Sequence, residues 1–324
     1  MTDILLLIAG LGLILAGANY LVEGAGHIAR RSGISDFIIG MTIVGIGTST
    51  PEMVVSFISS AKGNADIAVG NVIGSNIFNS LVILGLTALF YPIKLTSNNI
   101  RKDIPFGLLA SFILCVMGAG KWLNDTAESV IPRTDGILLL CFFAVFIAYT
   151  LFSSRQIPEA HAAEKGGEKE KRTTGKLWLN LVMAGGGLAG LIFGGDLFVD
   201  AAASLAKKMG VSDTVIALTI MSGGTSLPEL ASCLVAAYRK RTGLALGNVI
   251  GSNVANIFLI LGGSAVIHPL SMANIGIPDL VTLLLSSLLM FVAAFTFRKR
   301  KLDRPEGVIF VLIYIIFIVI LLYK

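Results

Sequence analysis

GTSTPE at residues 47–52 and GTSLPE at residues 224–229 are two copies of one motif, 177 residues apart. Each copy lies within a long apolar run, so each places a glutamate, Glu52 or Glu229, beside a helix-breaking proline at the predicted depth of a membrane. Ionisable residues at that depth cost free energy and commonly mark ion or substrate pathways. Interrupted hydrophobic segments at matching positions of two halves are typical of the binding site in secondary transporters.

A second motif repeats at the same offset, as GNVIGSNIFN at residues 70–79 and GNVIGSNVAN at residues 247–256. Its glycines are four residues apart, a spacing that lets helices approach closely. Residues four apart also share one helix face. We therefore predict that Ser75 and Asn79, with Ser252 and Asn256, form a polar face along an ion path. The remaining asparagines, at positions 71, 76, 248 and 253, are predicted to bond to backbone or to neighbouring helices.

The composition is that of an integral membrane protein. Hydrophobic residues make up 55% of the 324 residues and charged residues only 14%, against about 25% charged in soluble domains. The net charge of +5 resides in short loops between apolar runs, so membrane topology explains it and nucleic acid is not an expected partner. The three cysteines lie in apolar runs without metal or disulfide spacing, and we interpret them as small apolar residues.

Ten apolar runs have the length of about 20 residues that a membrane-spanning helix needs. They predict an all-α integral membrane fold with helices near residues 4–26, 33–61, 67–93, 104–120, 136–153, 177–205, 211–238, 244–268, 276–297 and 307–323. The odd-numbered loops hold 19 Lys and Arg residues, and the even-numbered loops with the C-terminus hold six. Positive charge marks the cytoplasmic side. We predict a multi-pass protein of the cell (inner) membrane with both termini outside.

The repeat divides the chain into two halves of five helices each. Residues 1–153 form the first predicted repeat, residues 154–176 a cytoplasmic linker, and residues 177–324 the second repeat. Because five is odd, the second half enters the membrane upside down relative to the first. Such inverted repeats are a known route to alternating access.

The prolines of the first motif free backbone carbonyls. Pro51 removes a backbone donor and displaces the carbonyl four residues earlier, which belongs to Gly47, and Pro228 does the same to Gly224. Carbonyls at membrane depth need partners. Either neighbouring hydroxyl groups or a bound cation could supply them.

The donor set around these carbonyls suits a hard cation. Two glutamates add negative charge, and hydroxyl oxygens come from Thr48, Ser49, Thr225 and Ser226. Oxygen ligands without histidine or thiolate favour Ca²⁺, Na⁺ or Mg²⁺ over zinc or copper. Two carboxylates would balance one Ca²⁺, two Na⁺ or two protons.

With both motif pairs in view, the chain resembles the cation/Ca²⁺ exchanger superfamily, and it looks most like the prokaryotic sodium/calcium exchanger branch. The resemblance implies ion sites at mid-membrane between the second, third, seventh and eighth helices. Glu52 and Glu229 would be shared by Ca²⁺ and Na⁺, with the carbonyls of Thr48 and Thr225 on Ca²⁺. The implied Na⁺ ligands are Ser49, Ser75, Ser226 and Ser252 with the carbonyls of Gly45 and Ser222, while Asn79 and Asn256 would line the centre.

Two departures refine the resemblance. Potassium-dependent relatives carry an aspartate where this chain has Asn256, so the neutral amide argues against a K⁺ requirement. The Gly-Asn-Ala-Thr-Glu-like motif of proton-coupled members is absent.

We expect a monomeric secondary antiporter that exchanges Ca²⁺ for Na⁺, with these ions and the lipid bilayer as its partners and with no cofactor. A Ca²⁺/H⁺ antiporter on the same scaffold, a cation channel and an intramembrane enzyme are the alternatives, and an enzyme is not expected because no Ser/His or paired-aspartate constellation is seen.

Overall fold

Helices dominate the fold, and they fall into the ten runs that the hydropathy pattern predicts. The computed structural model describes residues 2–120, 129–154, 177–210, 222–273, 275–296 and 300–322. We number the runs as spans 1 to 10. Their helical segments are Thr2–Ser32 (span 1), Asp36–Ile39, Gly40–Val44, Gly45–Thr48 and Thr50–Ala61 (span 2), Ala65–Phe78, Asn79–Ile83 and Leu84–Phe90 (span 3), Asn99–Asp103 and Ile104–Gly118 (span 4), Arg133–Ser154 (span 5), Leu177–Lys208 (span 6), Ser222–Gly224 and Leu227–Tyr238 (span 7), Thr242–Ala255, Asn256–Leu261 and Gly262–Ile267 (span 8), Ile277–Ala293 (span 9) and Arg304–Leu322 (span 10).

Not every span has the full length of a membrane-crossing helix. In the described part of the chain, spans 1, 3, 5, 6, 8 and 10 are long and apolar enough to cross a membrane, and span 2 joins them if its two halves, bent by 45°, count as one. Spans 4, 7 and 9 contain shorter helices of 15, 12 and 17 residues. The predicted start of span 7, residues 211–221, and nearly all of the predicted linker lie outside the described residues.

Two short antiparallel ribbons join loops that are distant in sequence. Their strands are β1 (Ile93–Lys94), β2 (Val130–Ile131), β3 (Leu270–Ser271) and β4 (Lys301–Leu302), and β1 pairs with β4 as β2 pairs with β3. Each ribbon pairs a strand of the first repeat with a strand of the second. Since β1 and β3 are 177 residues apart, the two ribbons are the same contact with the repeats exchanged. Each ribbon holds two loops on the same face of the molecule. The loops after spans 3 and 9 therefore share one face and those after spans 4 and 8 share another, as two inverted repeats require.

Burial separates inner from outer spans. In the apolar window of span 8, 94% of the residues are buried, whereas in span 10 only 17% are. Large apolar side chains such as Phe152, Phe193 and Ile316 are exposed on the outer spans. A broad exposed apolar surface of this kind fits contact with lipid. Spans 3 and 8, which carry the second motif, form the centre of the molecule.

Spans 1 and 6 pack backbone to backbone along a line of glycines. A Cβ atom added to Gly17 would lie 2.6 Å from the backbone N of Leu191 and 2.7 Å from the carbonyl O of Gly187. One added to Gly10 would lie 2.9 Å from the carbonyl O of Gly194. Gly10 and Gly187, like Gly17 and Gly194, are 177 residues apart, so the contact is reciprocal between the repeats. Small residues at such an interface allow helices in membranes to approach closely.

Gly17→Ala is expected to lower the thermal stability of the purified protein. The new methyl group has no space against the backbone of span 6, and overpacking of this kind typically costs about 1–3 kcal/mol. Gly12→Ala is the matched control, because a Cβ added there meets nothing within 4 Å. Thermal unfolding of both variants in the same detergent checks the prediction. Equal unfolding midpoints for the two variants would contradict the proposed close packing.

Candidate functional site

Each copy of the first motif breaks its span at a serine. Ser49, with φ −78° and ψ 10°, separates Gly45–Thr48 from Thr50–Ala61. Ser226, with φ −90° and ψ 7°, stands at the equivalent point of span 7. In both copies proline occupies the first turn of the second segment, where the missing N–H costs little. The predicted interruption of both helices is therefore confirmed.

The breaks place both glutamates in the first turn of a half-helix. Glu52 lies in the first turn of Thr50–Ala61 and Glu229 in the first turn of Leu227–Tyr238. The N-terminal end of a helix carries unpaired N–H groups and a partial positive charge, which favours an anionic side chain. The two side chains are nevertheless fully withdrawn from the surface, with 0% and 1% exposure. Buried carboxylates need further compensation.

Serines from the opposite repeat supply part of that compensation. Ser49 Oγ donates to Glu229 Oε1 at 3.0 Å, and Ser226 Oγ donates to Glu52 Oε1 at the same distance. Adding 177 to the residue numbers of the bond from Ser49 gives the donor of the other bond, Ser226, and the same relation joins Glu52 to Glu229. Each repeat therefore binds the glutamate of the other repeat. The crossed bonds bring both copies of the first motif into one buried centre.

The second motif reaches this centre less symmetrically. Ser75 Oγ donates to Glu52 Oε1 at 3.5 Å, the limit of a hydrogen bond. Its counterpart Ser252 instead donates to the carbonyl O of Gly45 at 3.0 Å. The two serines predicted to share one role therefore have different partners here.

A hydroxyl group binds the carbonyl that Pro51 frees, and a second hydroxyl binds a carbonyl one turn earlier in the same span. Thr50 Oγ1 donates to the carbonyl O of Gly47 at 2.6 Å, and Thr48 Oγ1 donates to that of Val44 at 3.0 Å. For the carbonyl of Gly47, a neighbouring hydroxyl is therefore the partner that the structure shows. The carbonyl O of Gly45 accepts from Ser252 Oγ at 3.0 Å and from the backbone N–H of Ser49 at 3.3 Å, so both of its lone pairs have partners in the described structure.

Several buried side-chain oxygens in and beside the two motifs have no hydrogen-bond partner within the described part of the chain. They are Glu52 Oε2, Glu229 Oε2, Asn79 Oδ1, Asn253 Oδ1, Asn256 Oδ1 and Thr225 Oγ1. An unsatisfied buried polar atom typically costs about 1–3 kcal/mol. A set of such oxygens that includes two carboxylates suits a hard cation, which binds oxygen ligands. Among the described residues there is no group of three or more His, Cys, Asp or Glu side chains, so most of the candidate ligands are neutral oxygens.

Asn79 and Asn256 each begin a π-helical segment. Asn79–Ile83 and Asn256–Leu261 have π-helical hydrogen bonding in the middle of spans 3 and 8. Single-turn π segments inside α-helices are frequent at functional sites. The sequence analysis missed them, because no residue pattern in these runs distinguishes a π turn from an α turn. Their recurrence at the 177-residue offset agrees with the equivalence of the two asparagines that the repeated motif predicts.

The other four motif asparagines bond to backbone or to neighbouring helices, as predicted. Asn71 donates to the carbonyl O of Glu52 at 3.2 Å, and Asn248 donates to Ser232 Oγ at 2.8 Å. Asn76 Nδ2 donates to the backbone carbonyl O of Asn253, and the side-chain Nδ2 of Asn253 donates to Ser80 Oγ. These bonds tie spans 2 and 3, spans 7 and 8, and spans 3 and 8 together. They position the central side chains.

The remaining predicted site residues lie where the motifs place them. Thr48 is fully buried, and its hydroxyl is also 3.2 Å from Asn248 Oδ1. Thr225 lies between the two segments of span 7, and Ser222 begins Ser222–Gly224. The ligand roles assigned to the carbonyls of Thr48, Thr225, Gly45 and Ser222 stay predictions.

An inverted-repeat membrane fold with two buried carboxylates where its two broken helices meet is typical of a secondary cation transporter. Comparison with known proteins identifies the family to which the chain belongs. The family model described as sodium/calcium exchanger protein matches residues 2–152 and 179–323, so the chain belongs to the sodium/calcium exchanger family.

Individual relatives cover nearly the whole chain. The sodium/calcium exchanger MaX1 of Methanosarcina acetivorans is 31% identical, and the alignment covers 99% of both chains. The putative antiporter CaxA of Alkalimonas amylolytica is 34% identical over 95% of each. A solved structure of the sodium-calcium exchanger NCX_Mj, soaked with 2.5 mM Na⁺ and 0.1 mM Ca²⁺, superposes with a TM-score of 0.82 at 33% identity and covers 98% of both chains.

These similarities confirm the predicted fold class and the resemblance. The protein is a multi-pass, all-α membrane protein with ten transmembrane helices in two inverted repeats. It is a cation-exchange antiporter. The boundaries of the two repeats and the orientation of the termini stay predictions.

Proposed function

We propose that this protein exchanges Ca²⁺ for Na⁺ across the membrane by alternating access. The main support for the proposal is the state of Glu52 and Glu229, which are buried together. Each accepts a hydrogen bond from a serine of the opposite repeat. Each also keeps one carboxylate oxygen without a partner in the described structure. The names of the relatives MaX1 and NCX_Mj, both sodium/calcium exchangers, support the choice of ions.

We assign the ions to the centre formed by the two motifs. Glu52 and Glu229 would serve both ions, and the carbonyls of Thr48 and Thr225 would complete the Ca²⁺ site. The Na⁺ ligands would be Ser49, Ser75, Ser226 and Ser252 with the carbonyls of Gly45 and Ser222, and the unpaired amide oxygens of Asn79 and Asn256 would face the central position. Ca²⁺ accepts six to eight such oxygens in flexible geometry.

Charge balance explains why such a site would exchange rather than leak. Two buried carboxylates without counter-charge carry a desolvation penalty of several kcal/mol each. One Ca²⁺ or two Na⁺ would neutralise the pair, and the two kinds of ion would compete for the same oxygens. The carrier would then change its open side only when loaded, so that outward movement of one ion is coupled to inward movement of the other.

Spans 1 and 6, which pack together along a line of glycines, are our candidate for the moving part of the transporter. Close backbone packing along Gly10, Gly17, Gly187 and Gly194 holds these two long helices together as one unit. We propose that spans 1 and 6 move as one pair across the central site. The protein is proposed to act as a monomer with both termini outside.

The runner-up is a Ca²⁺/H⁺ antiporter on the same scaffold. The same two carboxylates could be neutralised by two protons, and the name of the relative CaxA specifies an antiporter without its coupling ion. This alternative keeps the site and changes only the counter-ion.

Uptake of ⁴⁵Ca²⁺ into proteoliposomes tests the proposal. Vesicles loaded with Na⁺ and diluted into Na⁺-free medium should accumulate ⁴⁵Ca²⁺, and vesicles loaded with the same concentration of K⁺ should not. Protein-free vesicles are the control for leakage. Equal uptake with internal Na⁺ and K⁺ would contradict Na⁺ coupling and would favour a channel, whose flux needs no counter-ion.

A further inference from the structure

A cavity with two arginines at its rim lies away from the ion site, between the beginning of span 4 and the end of span 9. Its volume is about 520 Å³, within the range of small-molecule sites. The lining residues are Ser97, Ile100, Arg101, Pro105, Phe291, Ala294, Phe295 and Arg300. The loops that carry both arginines belong to the odd-numbered set, which the charge pattern places on the cytoplasmic side.

An apolar groove continues from this cavity along the same two spans. Its volume is about 370 Å³, and it shares Pro105 with the cavity. The other lining residues are Leu108, Leu109, Phe112, Leu284 and Leu288. Phe112 is 52% exposed, Leu109 44% and Leu288 42%, so the groove is open towards the lipid. Cavity and groove together form one crevice with a cationic end at the helix termini and an apolar tail along the helices.

The positive charge at the rim is not balanced by the carboxylates around it. Within the described residues, neither Arg101 nor Arg300 forms an ion pair. Asp103 accepts hydrogen bonds from Asn99 and Tyr149 instead. Asp303 pairs with Lys301 at 3.5 Å. Both arginines are exposed and can turn to a ligand at the cavity mouth.

The backbone of Arg300 is held in place at the mouth of the cavity. Its φ of 63° lies in the left-handed region that side-chain-bearing residues seldom adopt. The N–H of Arg300 donates to the carbonyl O of Ala294 at 3.0 Å, and its carbonyl accepts from the N–H of Leu95 at 2.9 Å. These bonds fix the start of its side chain between span 9 and the loop before span 4.

We propose that this crevice binds one anionic phospholipid, with the phosphate group between Arg101 and Arg300 and one acyl chain along the apolar groove. Basic pockets between transmembrane helices at the cytoplasmic side are suited to anionic lipid head groups. A phospholipid also fits the two ends of the crevice, because its charged head group would lie at the membrane interface and its acyl chain at membrane depth. A soluble anion would use only the cationic end.

Native mass spectrometry of the detergent-purified protein tests this site. The protein is titrated with phosphatidylglycerol or phosphatidylcholine of identical acyl chains. A basic residue near an anionic lipid contributes about fivefold in binding, so two should give a preference of about 25-fold for one phosphatidylglycerol molecule. The double variant Arg101→Ala/Arg300→Ala should lose this preference, and Arg101→Lys/Arg300→Lys should keep most of it. Arg30→Ala/Lys102→Ala is the matched control, because it removes two exposed positive charges from the same set of loops but none from the crevice.

Three outcomes would overturn the proposal. Equal binding of both lipids would mean general lipid contact without a head-group site. An equal loss of preference in the control variant would mean a diffuse attraction to surface charge. Full displacement of phosphatidylglycerol by an equal concentration of soluble glycerol phosphate would mean that the groove binds no acyl chain.

Discussion

Glu52→Gln and Glu229→Gln are each expected to reduce Na⁺-driven Ca²⁺ uptake to the level of protein-free vesicles. The amide has nearly the shape of the carboxylate and can still accept the hydrogen bond from Ser226 or Ser49, so the fold should persist. What is lost is one of two negative charges. Breaking a buried charge pair by removing one partner typically costs about 3–5 kcal/mol, which corresponds to a loss of more than about a hundredfold in ion binding.

The control for this result is Glu23→Gln. The Glu23 carboxylate lies on span 1 and is 41% exposed, 3.4 Å from Arg239, so its neutralisation should leave uptake close to that of the unchanged protein. Size-exclusion profiles and thermal unfolding of all three variants separate a loss of transport from a loss of fold. Normal uptake by a well-folded Glu52→Gln variant would remove Glu52 from the transport site.

Asn256→Asp is expected to make transport dependent on an additional cation. Asn256 is fully buried, and its Oδ1 has no hydrogen-bond partner in the described structure. A third negative charge would leave the centre unbalanced when it holds one Ca²⁺ or two Na⁺. Because an uncompensated buried charge costs about 3–5 kcal/mol, uptake with Na⁺ and Ca²⁺ alone should fall more than about a hundredfold. Addition of K⁺ or of protons should restore part of it.

Asn256→Ser is the matched neutral variant. It removes the amide and its 3.0 Å bond to Asn76 Oδ1 without adding charge, so its uptake should not respond to K⁺. If the aspartate variant folds normally and transports equally well with and without a further cation, the charge-balance account of this centre is wrong.

The sequence predicted the elements of this protein that follow from a one-dimensional pattern. The 177-residue offset between the motif copies at 47–52 and 224–229 predicted the inverted repeat and both half-helix breaks. Hydropathy predicted the ten spans, because lipid requires long apolar segments. The i, i+4 spacing predicted the shared face of Ser75 and Asn79. These features depend on local spacing, which a sequence displays directly.

The arrangement between the repeats could not be predicted in this way. The crossed bonds from Ser49 to Glu229 and from Ser226 to Glu52 depend on how two distant halves meet. The different partners of Ser75 and Ser252 also break a symmetry that the sequence implies. Distances across a repeat interface are set by packing of the whole fold. No spacing within one half contains that information.

The coupling ion is the central claim, and one transport experiment tests it most directly. ⁴⁵Ca²⁺ uptake is measured in parallel into proteoliposomes loaded with Na⁺, with K⁺, or with acidic Na⁺-free buffer. The proposed exchange predicts rapid uptake with internal Na⁺, and uptake with internal K⁺ or acid no greater than that of the Glu52→Gln variant. Uptake driven by internal acid as strongly as by internal Na⁺ would contradict it, because protons rather than Na⁺ would then neutralise Glu52 and Glu229.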